Sequence, residues 1–378
     1  MANASGFARD ILTTATAIFD GANPETKITS PAFLRMLTEK AAGAEVSSSI
    51  QNANGHFRDI KFRYRQRSVT GESDDALSCD ASNNPLYKEA TIAQAMFRQV
   101  SLNFDFDTIA KFENEASSFR KLNAGNNAPS QLGGLMNIVW DGIANKVNAL
   151  LGDMDIDLLT KMNLHWGFNN NTGLNTATTL NFPLSATNNA LTSGITGLLE
   201  QGMANEMDMS NSCIVGSGLI TNYWLQNVAK NAKSADYGGL NTSALGLPSF
   251  YADYYASTVW GTNKFALVDP RALTFLNLNL YQDYRATHLA TSTYFKMPLM
   301  ITDSLGNTFQ MDFDIQLKET DCPTVTADGY GNPLTIGPGV TIFIRKSFDL
   351  FTQPGDVYGA NDRLKGNNGT LLYTATNS

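Results

Sequence analysis

The stretch Gln131 to Leu151 reads QLGGLMNIVWDGIANKVNALL and is the strongest helical signal in the chain. Leu132, Leu135, Met136, Val139, Ile143, Val147, Leu150 and Leu151 recur at helical spacing, with Ser130 just ahead and Gly152 just behind. At about 1.5 Å per residue such a helix spans roughly 30 Å. Beyond Gly152, Asp153 is placed to cap a second helix carrying Met154, Leu158, Leu159 and Met162. Asp153, Asp155 and Asp157 alternate at its mouth, where carboxylates favour the helix dipole.

Upstream, IKFRYRQR from Ile60 to Arg67 alternates strictly. Ile60, Phe62 and Tyr64 share one face, and Lys61, Arg63, Arg65 and Arg67 share the other. A polar, acidic loop from Thr70 to Pro85 separates it from a second alternating run, in which Met96, Val100, Leu102, Phe104 and Phe106 oppose Ser101, Asn103, Asp105 and Asp107. The spacing predicts a long hairpin of these two strands, with opposite charges on their outward faces. Before it, Ser30 as N-cap and Pro31 at the first helical position predict a short helix burying Phe33, Leu34 and Leu37. A small-residue linker, Ala41 to Asn54, follows.

Downstream, Trp166 to Asn189 is rich in Asn and Thr and reads as loop or edge strand. A mixed α/β region then runs from Ala190 to about Leu289. It begins with a helix holding Ile195, Leu198, Leu199 and Met203 and a strand Cys213-Ile214-Val215. The turn Gly216-Ser217-Gly218 leads into a helix with Tyr223, Trp224 and Val228. An aromatic strand, Phe250 to Tyr255, and an apolar one, Phe265 to Val268, complete the region. The C-terminal part is β-rich: Tyr294 to Ile301 and Thr308 to Leu317 flank a turn, as expected of a hairpin. A Gly- and Pro-rich loop, Cys322 to Gly339, precedes a last strong strand, Val340 to Ile344, and the tail from Gln353 reads as polar and extended.

Composition narrows the function. The 378 residues are 43% hydrophobic and 10% aromatic, enough to bury a substantial core. Only 16% are charged, well below the roughly 25% of an average soluble protein. With 27 Lys plus Arg against 35 Asp plus Glu, the net charge of -8 argues against a dedicated nucleic-acid binder. Cys79, Cys213 and Cys322 lie far apart and form neither a disulfide framework nor a zinc ribbon. No run of about 18 apolar residues occurs, so no membrane span is expected, and the start MANASGFARD lacks a secretory pattern.

Chemistry-bearing motifs are weak. Gly216-Ser217-Gly218 has Thr221 where a dinucleotide fingerprint needs its third glycine, so a tight turn is the better reading. His56, His165 and His288 are scattered, without a second ligand three or four residues away. Asp312 and Asp314 fall on the face of a strand opposite Phe313, which reads as solvent-facing. No catalytic residue, metal ligand or cofactor is therefore expected, and the chain does not read as an enzyme. For Lys61, Arg63, Arg65 and Arg67 three readings stay open: a solvated edge, pairing with another subunit, or contact with nucleic acid.

Taken in order, an arm, a long hairpin, one long helix, a β-rich platform, an inserted α/β region and a return strand resemble the major capsid proteins of tailed bacteriophages, the Hong-Kong-ninety-seven-type fold. Local likeness is best at Ser212-Cys213-Ile214-Val215-Gly216-Ser217 leading into Tyr223-Trp224-Leu225. It extends to Leu245-Gly246-Leu247-Pro248 with Phe265-Ala266-Leu267-Val268-Asp269-Pro270, and to Phe343-Ile344-Arg345-Lys346-Ser347-Phe348-Asp349. The resemblance implies an α+β fold with residues 1–52 as N-terminal arm, 53–107 as extended hairpin loop and 108–189 as spine helix and first part of a peripheral domain. Residues 190–289 would be an axial domain, 290–352 the second part of the peripheral domain, and 353–378 a C-terminal tail. It implies copies gathered as pentamers and hexamers in an icosahedral shell around DNA, a virion location after assembly in the host cytoplasm, and scaffold or decoration partners. Lys61, Arg63, Arg65 and Arg67 become candidates for the assembly interface. Another virion component, such as a tail or sheath protein, and a glycan-active enzyme using paired carboxylates are the alternatives.

Overall fold

The structure is a computed structural model, and it describes residues 11, 28–41, 45–51, 57–65, 87–123, 134–166, 168–169, 173–174, 178–181, 197–205, 207–217, 248–281, 287–289, 292–302, 308–320, 324–327, 333–336, 339–353 and 369–376. In chain order its elements begin with α1 (Ala32–Lys40), β1 (Glu45–Gln51), β2 (Phe57–Arg65), β3 (Tyr87–Gln94), β4 (Met96–Asp105), α2 (Phe106–Asn123) and α3 (Gly134–Asn163). Then come β5 (Phe168–Asn169), β6 (Gly173–Leu174), β7 (Thr178–Asn181), α4 (Gly197–Ala204), β8 (Cys213–Gly216), β9 (Ser249–Ala252), α5 (Tyr254–Val259) and β10 (Lys264–Val268). The last are β11 (Leu273–Leu278), β12 (Thr287–Leu289), β13 (Ser292–Thr302), β14 (Thr308–Thr320), β15 (Thr324–Ala327), β16 (Pro333–Ile336), β17 (Gly339–Thr352) and β18 (Thr370–Thr376). Helix and sheet are both present in quantity, as the α+β reading expects. The chain forms two compact units and passes between them five times: ahead of α1, between β3 and β4, within α3, within β11 and within β17.

The first unit comprises Met1–Ser30, Met96–Asp153 and Asn277–Ser347. Its frame is the antiparallel hairpin of β13 and β14, in register from Ser292↔Lys318 to Thr302↔Thr308, as the alternation predicts. Phe295, Met297, Leu299 and Ile301 line one face with Met311, Phe313, Ile315 and Leu317, all buried. The proximal part of β17 adds to β14, from Thr320↔Gly339 to Asp314↔Arg345. β4 also pairs with β17. That pairing joins segments far apart in the chain: Thr341 Oγ1 donates to Asn103 Oδ1 at 3.1 Å across 238 residues. The late strand is therefore held by β14 and also by a partner well outside its own C-terminal region. Gly339 is where the backbones come closest. A Cβ there would overlap the Phe104 carbonyl oxygen and lie 2.9 Å from Asp105 Cα, and neither is a side chain that can swing aside. Gly339→Ala is expected to cost at least about 1 to 3 kcal/mol, read as a lowered urea midpoint; an unchanged midpoint would contradict the β4–β17 approach.

The strand pairing corrects the expected hairpin. The companion of β2 is β3, in register from Arg58↔Gln94 to Arg65↔Tyr87, and not β4. The residues 41–54 expected as linker contain β1, which pairs on the other side of β2. In EVSSSIQ small polar residues hide the alternation, and the strand is fixed by its neighbour rather than by propensity.

The second unit comprises Pro31–Ala95, Met154–Leu276 and Phe348–Ser378. Its centre is a five-stranded sheet in the order β7-β18-β10-β8-β9. β18 lies antiparallel to β10 and parallel to β7. The C-terminal stretch read as a polar tail thus carries a central strand, with Leu371 and Tyr373 fully buried. Leu198, Met207, Met209, Ile214, Phe265, Leu267, Leu371 and Tyr373 form the core over this sheet, with Phe265 stacked on Tyr373 at 5.4 Å. β11 pairs with β17, where Gln353 N–H donates to the Ala272 carbonyl at 3.4 Å.

Four local expectations change. The two predicted helices of 131–162 are one helix of 30 residues. Gly152 does not end it, because Leu150, Leu151, Met154, Leu158 and Leu159 on either side are fully buried, and that burial outweighs the roughly 1 kcal/mol a mid-helix glycine costs. Phe250 to Tyr255 is a strand only as far as Ala252; Asp253 then caps α5, accepting from Tyr255 N–H and Ala256 N–H at 2.8 and 3.2 Å. The Gly- and Pro-rich loop before β17 contains the small hairpin of β15 and β16. At α1 the N-cap is Pro31, with no side-chain cap of its own, rather than Ser30. The helix expected around Tyr223 and Trp224 lies outside the described residues.

Candidate assembly surface

β2 is the middle strand of a three-stranded antiparallel sheet with β1 and β3. Its inward face is the one the alternation predicts: Ile60 and Phe62 are fully buried and Tyr64 nearly so. Phe62 and Tyr64 pack on Phe351 with ring centroids 5.1 and 4.8 Å apart. That anchoring leaves Lys61 and Arg63 exposed on the opposite face. Register sets Arg63 across from Glu89 on β3 and Glu45 on β1, while Lys61 lies across from Thr91 and Ser48. Arg63 Nε reaches Glu89 Oε1 at 3.1 Å, with both side chains about two-thirds exposed at 64% and 66%. An ion pair that open contributes only tenths of a kcal/mol. Arg65 continues the strand opposite Tyr87; its side chain, and the whole of Arg67, lie outside the described residues.

The sequence pattern misses one cation. Asp59 has φ 49, in the left-handed region that Asp tolerates better than most residues. The irregularity leaves both Phe57 and Ile60 buried although they are three positions apart, and it leaves Arg58 exposed. Strict alternation from Ile60 onward gives no signal of this, since the break in period comes just before it.

Of the acidic clusters, Asp312, Asp314 and Asp155 are engaged in structure. Asp312 is 3.2 Å from Lys296. Asp314 is buried, against the expectation of a solvent-facing strand, because the backbone N–H groups of Leu280 and Tyr281 close over it at 2.8 and 3.0 Å. Burial pushes its carboxyl pKa up. Asp155 is also fully buried rather than at a helix mouth, since α3 runs through that position without a break. Its Oδ1 accepts from Leu34 N–H at 2.8 Å, and Asp253 Oδ2 accepts from the adjacent Phe33 N–H at 2.9 Å. Asp155 does serve a helix N-terminus, but that of α1.

Lys346 is another buried ionisable group, with Nζ donating to Asn279 Oδ1 at 2.6 Å and to the Asp312 carbonyl. Burial lowers it to about 7, against the opposing pull of Asp314 and Asp312. A lysine tuned to neutrality suits catalysis only where substrate reaches it, and this one is fully enclosed. Cys213 is buried and raised to about 11 by desolvation, the opposite of an activated thiol. Ser217 follows β8, its hydroxyl donating to the Thr262 carbonyl at 2.8 Å, as a turn residue does. Among the described residues, no group of three or more His, Cys, Asp or Glu side chains is arranged to hold a metal ion.

No family model matches the chain, and no curated protein matches it by sequence. Solved structures similar to it include the capsid asymmetric unit of cyanophage A-1(L), with 11% identity over 92% of this chain and 93% of that one and a TM-score of 0.45. A structure from Mycobacterium phage Adephagia shares 11% identity over 97% of both chains, with a TM-score of 0.42. The capsid structure of cyanophage P-SCSP1u shares 12% identity over 90% of each chain, with a TM-score of 0.37.

Proposed function

We propose that this chain is the major capsid protein of a tailed bacteriophage, a structural protein whose copies gather as pentamers and hexamers and close into an icosahedral shell around DNA. The observation that supports the reading is the pairing of β17 with β4, which brings a late strand back beside one that precedes the long helix α3, so that residues 190–289 read as an insertion between two parts of one platform. That order of elements is the one the sequence resemblance implies. In this reading α3 is the spine, residues 190–289 the axial domain, and β4, β13, β14 and β17 the peripheral platform. Residues 53–107 supply the extended loop through β2 and β3, with β4 belonging to the platform instead. Assembly in the host cytoplasm, scaffold or decoration proteins, and weak nonspecific contact with packaged DNA belong to the same reading. No helix among the described residues is long and apolar enough to cross a membrane.

Within the shell, Lys61, Arg63, Arg65 and Arg67 meet acidic groups of a neighbouring subunit. Arg63 already has a local acid in Glu89, but both side chains are open and neither is held tightly. Charge reversal by Arg63→Glu and Arg65→Glu therefore leaves the subunit folded while reducing particle yield, which circular dichroism and sedimentation measure on the same sample. Raised salt weakens wild-type assembly modestly, because exposed pairs are screened. Normal yield with poor DNA retention would assign the strand to the genome instead, and normal values of both would leave only a solvated edge.

A further inference from the structure

Two carboxylates meet at the start of α1, and nothing in the shell-forming role calls for them. Asp155, fully buried, comes from the middle of α3, and Asp253, equally enclosed, from the turn between β9 and α5. They accept from successive amides of α1: Phe33 N–H to Asp253 Oδ2 at 2.9 Å and Leu34 N–H to Asp155 Oδ1 at 2.8 Å. Neighbouring amides bring the two acids together. Asp253 has three donors, since its Oδ1 also takes the N–H groups of Tyr255 and Ala256, which leaves it room for one more. Asp155 Oδ2 has none and is sealed from solvent. Two unshielded negative charges this close and this dry are costly, and an acceptor without a donor adds to the cost.

We propose that Asp155 and Asp253 hold one proton between them, carried on Asp155 Oδ2, and that this shared proton is the clasp that seats α1 on α3 and α5. With the proton in place Asp155 donates to Asp253, and the α1 amides keep their two acceptors. Removing it sets like charges against each other and loosens the start of α1. The donor pattern places the proton on Asp155: its Oδ2 has no donor, whereas both oxygens of Asp253 already accept N–H groups. Burial first, and then the Asp253 charge, raise the Asp155 carboxyl well above its ordinary value.

The other ionisable groups of the packed elements are engaged elsewhere or reach toward solvent. On α1, Arg35 lies 3.9 Å from Glu39 and over the Tyr251 ring at 4.8 Å, and Lys40 reaches Ser249 Oγ at 3.0 Å and Cys213 Sγ at 3.6 Å. On α3, Lys161 pairs with Asp349, Asp153 is exposed and Asp157 is half-buried. Beside α5, Tyr254 is exposed and Tyr255 is half-buried. Asp253 is thus the charge that acts on Asp155.

The linkage has a definite sign. A carboxyl weakened on folding takes up a proton as the chain folds, so its contribution is present at low pH and is lost as pH rises through the folded value. Thermal melts of the full chain from about pH 5 to about pH 9 should show wild type losing stability toward the alkaline end relative to Asp155→Asn. The amide in that variant keeps the oxygen for Leu34 and a permanent N–H for Asp253, so its profile is flatter and its midpoint higher by a few degrees at high pH. Asp253→Asn should lower the midpoint at every pH, because one face of its amide turns a donor toward a donor. Infrared spectra of wild type at neutral pH should contain a protonated-carboxyl band that Asp155→Asn lacks. Parallel melting profiles for wild type and Asp155→Asn would overturn the clasp, as would absence of that band. Should Asp155→Asn fail to fold, the wild-type band alone decides.

Discussion

Replacing Trp260 with alanine should destabilise the chain by about 3 to 5 kcal/mol, the largest loss expected of any single truncation described here. Trp260 follows α5 and is almost completely buried. Its ring meets Trp166 edge-on at 5.2 Å and Phe33 of α1 at 6.3 Å, and its Nε1 donates to the Leu159 carbonyl of α3 at 3.2 Å. Alanine removes the packing from three elements at once and leaves no side-chain donor for that carbonyl. Urea unfolding of wild type and Trp260→Ala measures the difference. A change under about 1 kcal/mol would mean that α1 and α3 are held together without it.

The second large effect is a pH dependence centred on Lys346. Burial lowers this group to about 7 from an ordinary 10.5. Over that interval the unfolded chain binds a proton at the lysine and the folded chain does not, so stability rises with pH by up to about 1.4 kcal/mol per pH unit. The contribution is complete above the unfolded value and is lost as pH falls toward the folded one. Lys346→Met keeps the length of the side chain and its packing beside Phe313 but cannot titrate, so its stability should change less between about pH 7 and about pH 9. Asp155 slopes the opposite way, but it is present in both chains and cancels in the comparison. Equal pH dependence for the two would show that Lys346 keeps its charge on folding.

The sequence makes the strong periodicities legible. The β13–β14 hairpin and the buried face of β2 follow from alternation, because one covered face selects one residue in two, whereas β10 follows from an unbroken apolar run, Phe265 to Val268, buried on both faces. Boundaries set by tertiary packing are not legible. Gly152 is an ordinary stop signal until flanking leucines are seen to be buried on both sides of it. Alternation points to β4 as the partner of β2, because β3, with Lys88, Glu89 and Gln94, shows less apolar periodicity, and only the fold reveals that β3 lies beside it. The start of α1 is hidden from the sequence for a related reason: its N–H groups are satisfied by Asp155 and Asp253, acids 121 and 220 residues away. A local capping rule sees neither. Of the basic strand, the alternation correctly separates Lys61 and Arg63 from the core, but the exposure of Arg58 depends on the backbone at Asp59.

Shell formation itself is tested most directly by negative-stain electron microscopy of the purified full-length protein. A capsid protein gives closed shells or separate rings of five and six subunits. Tubes of stacked rings would point to a tail or sheath component, and a field of uniform single subunits, unchanged as protein concentration is raised, would contradict the proposed function.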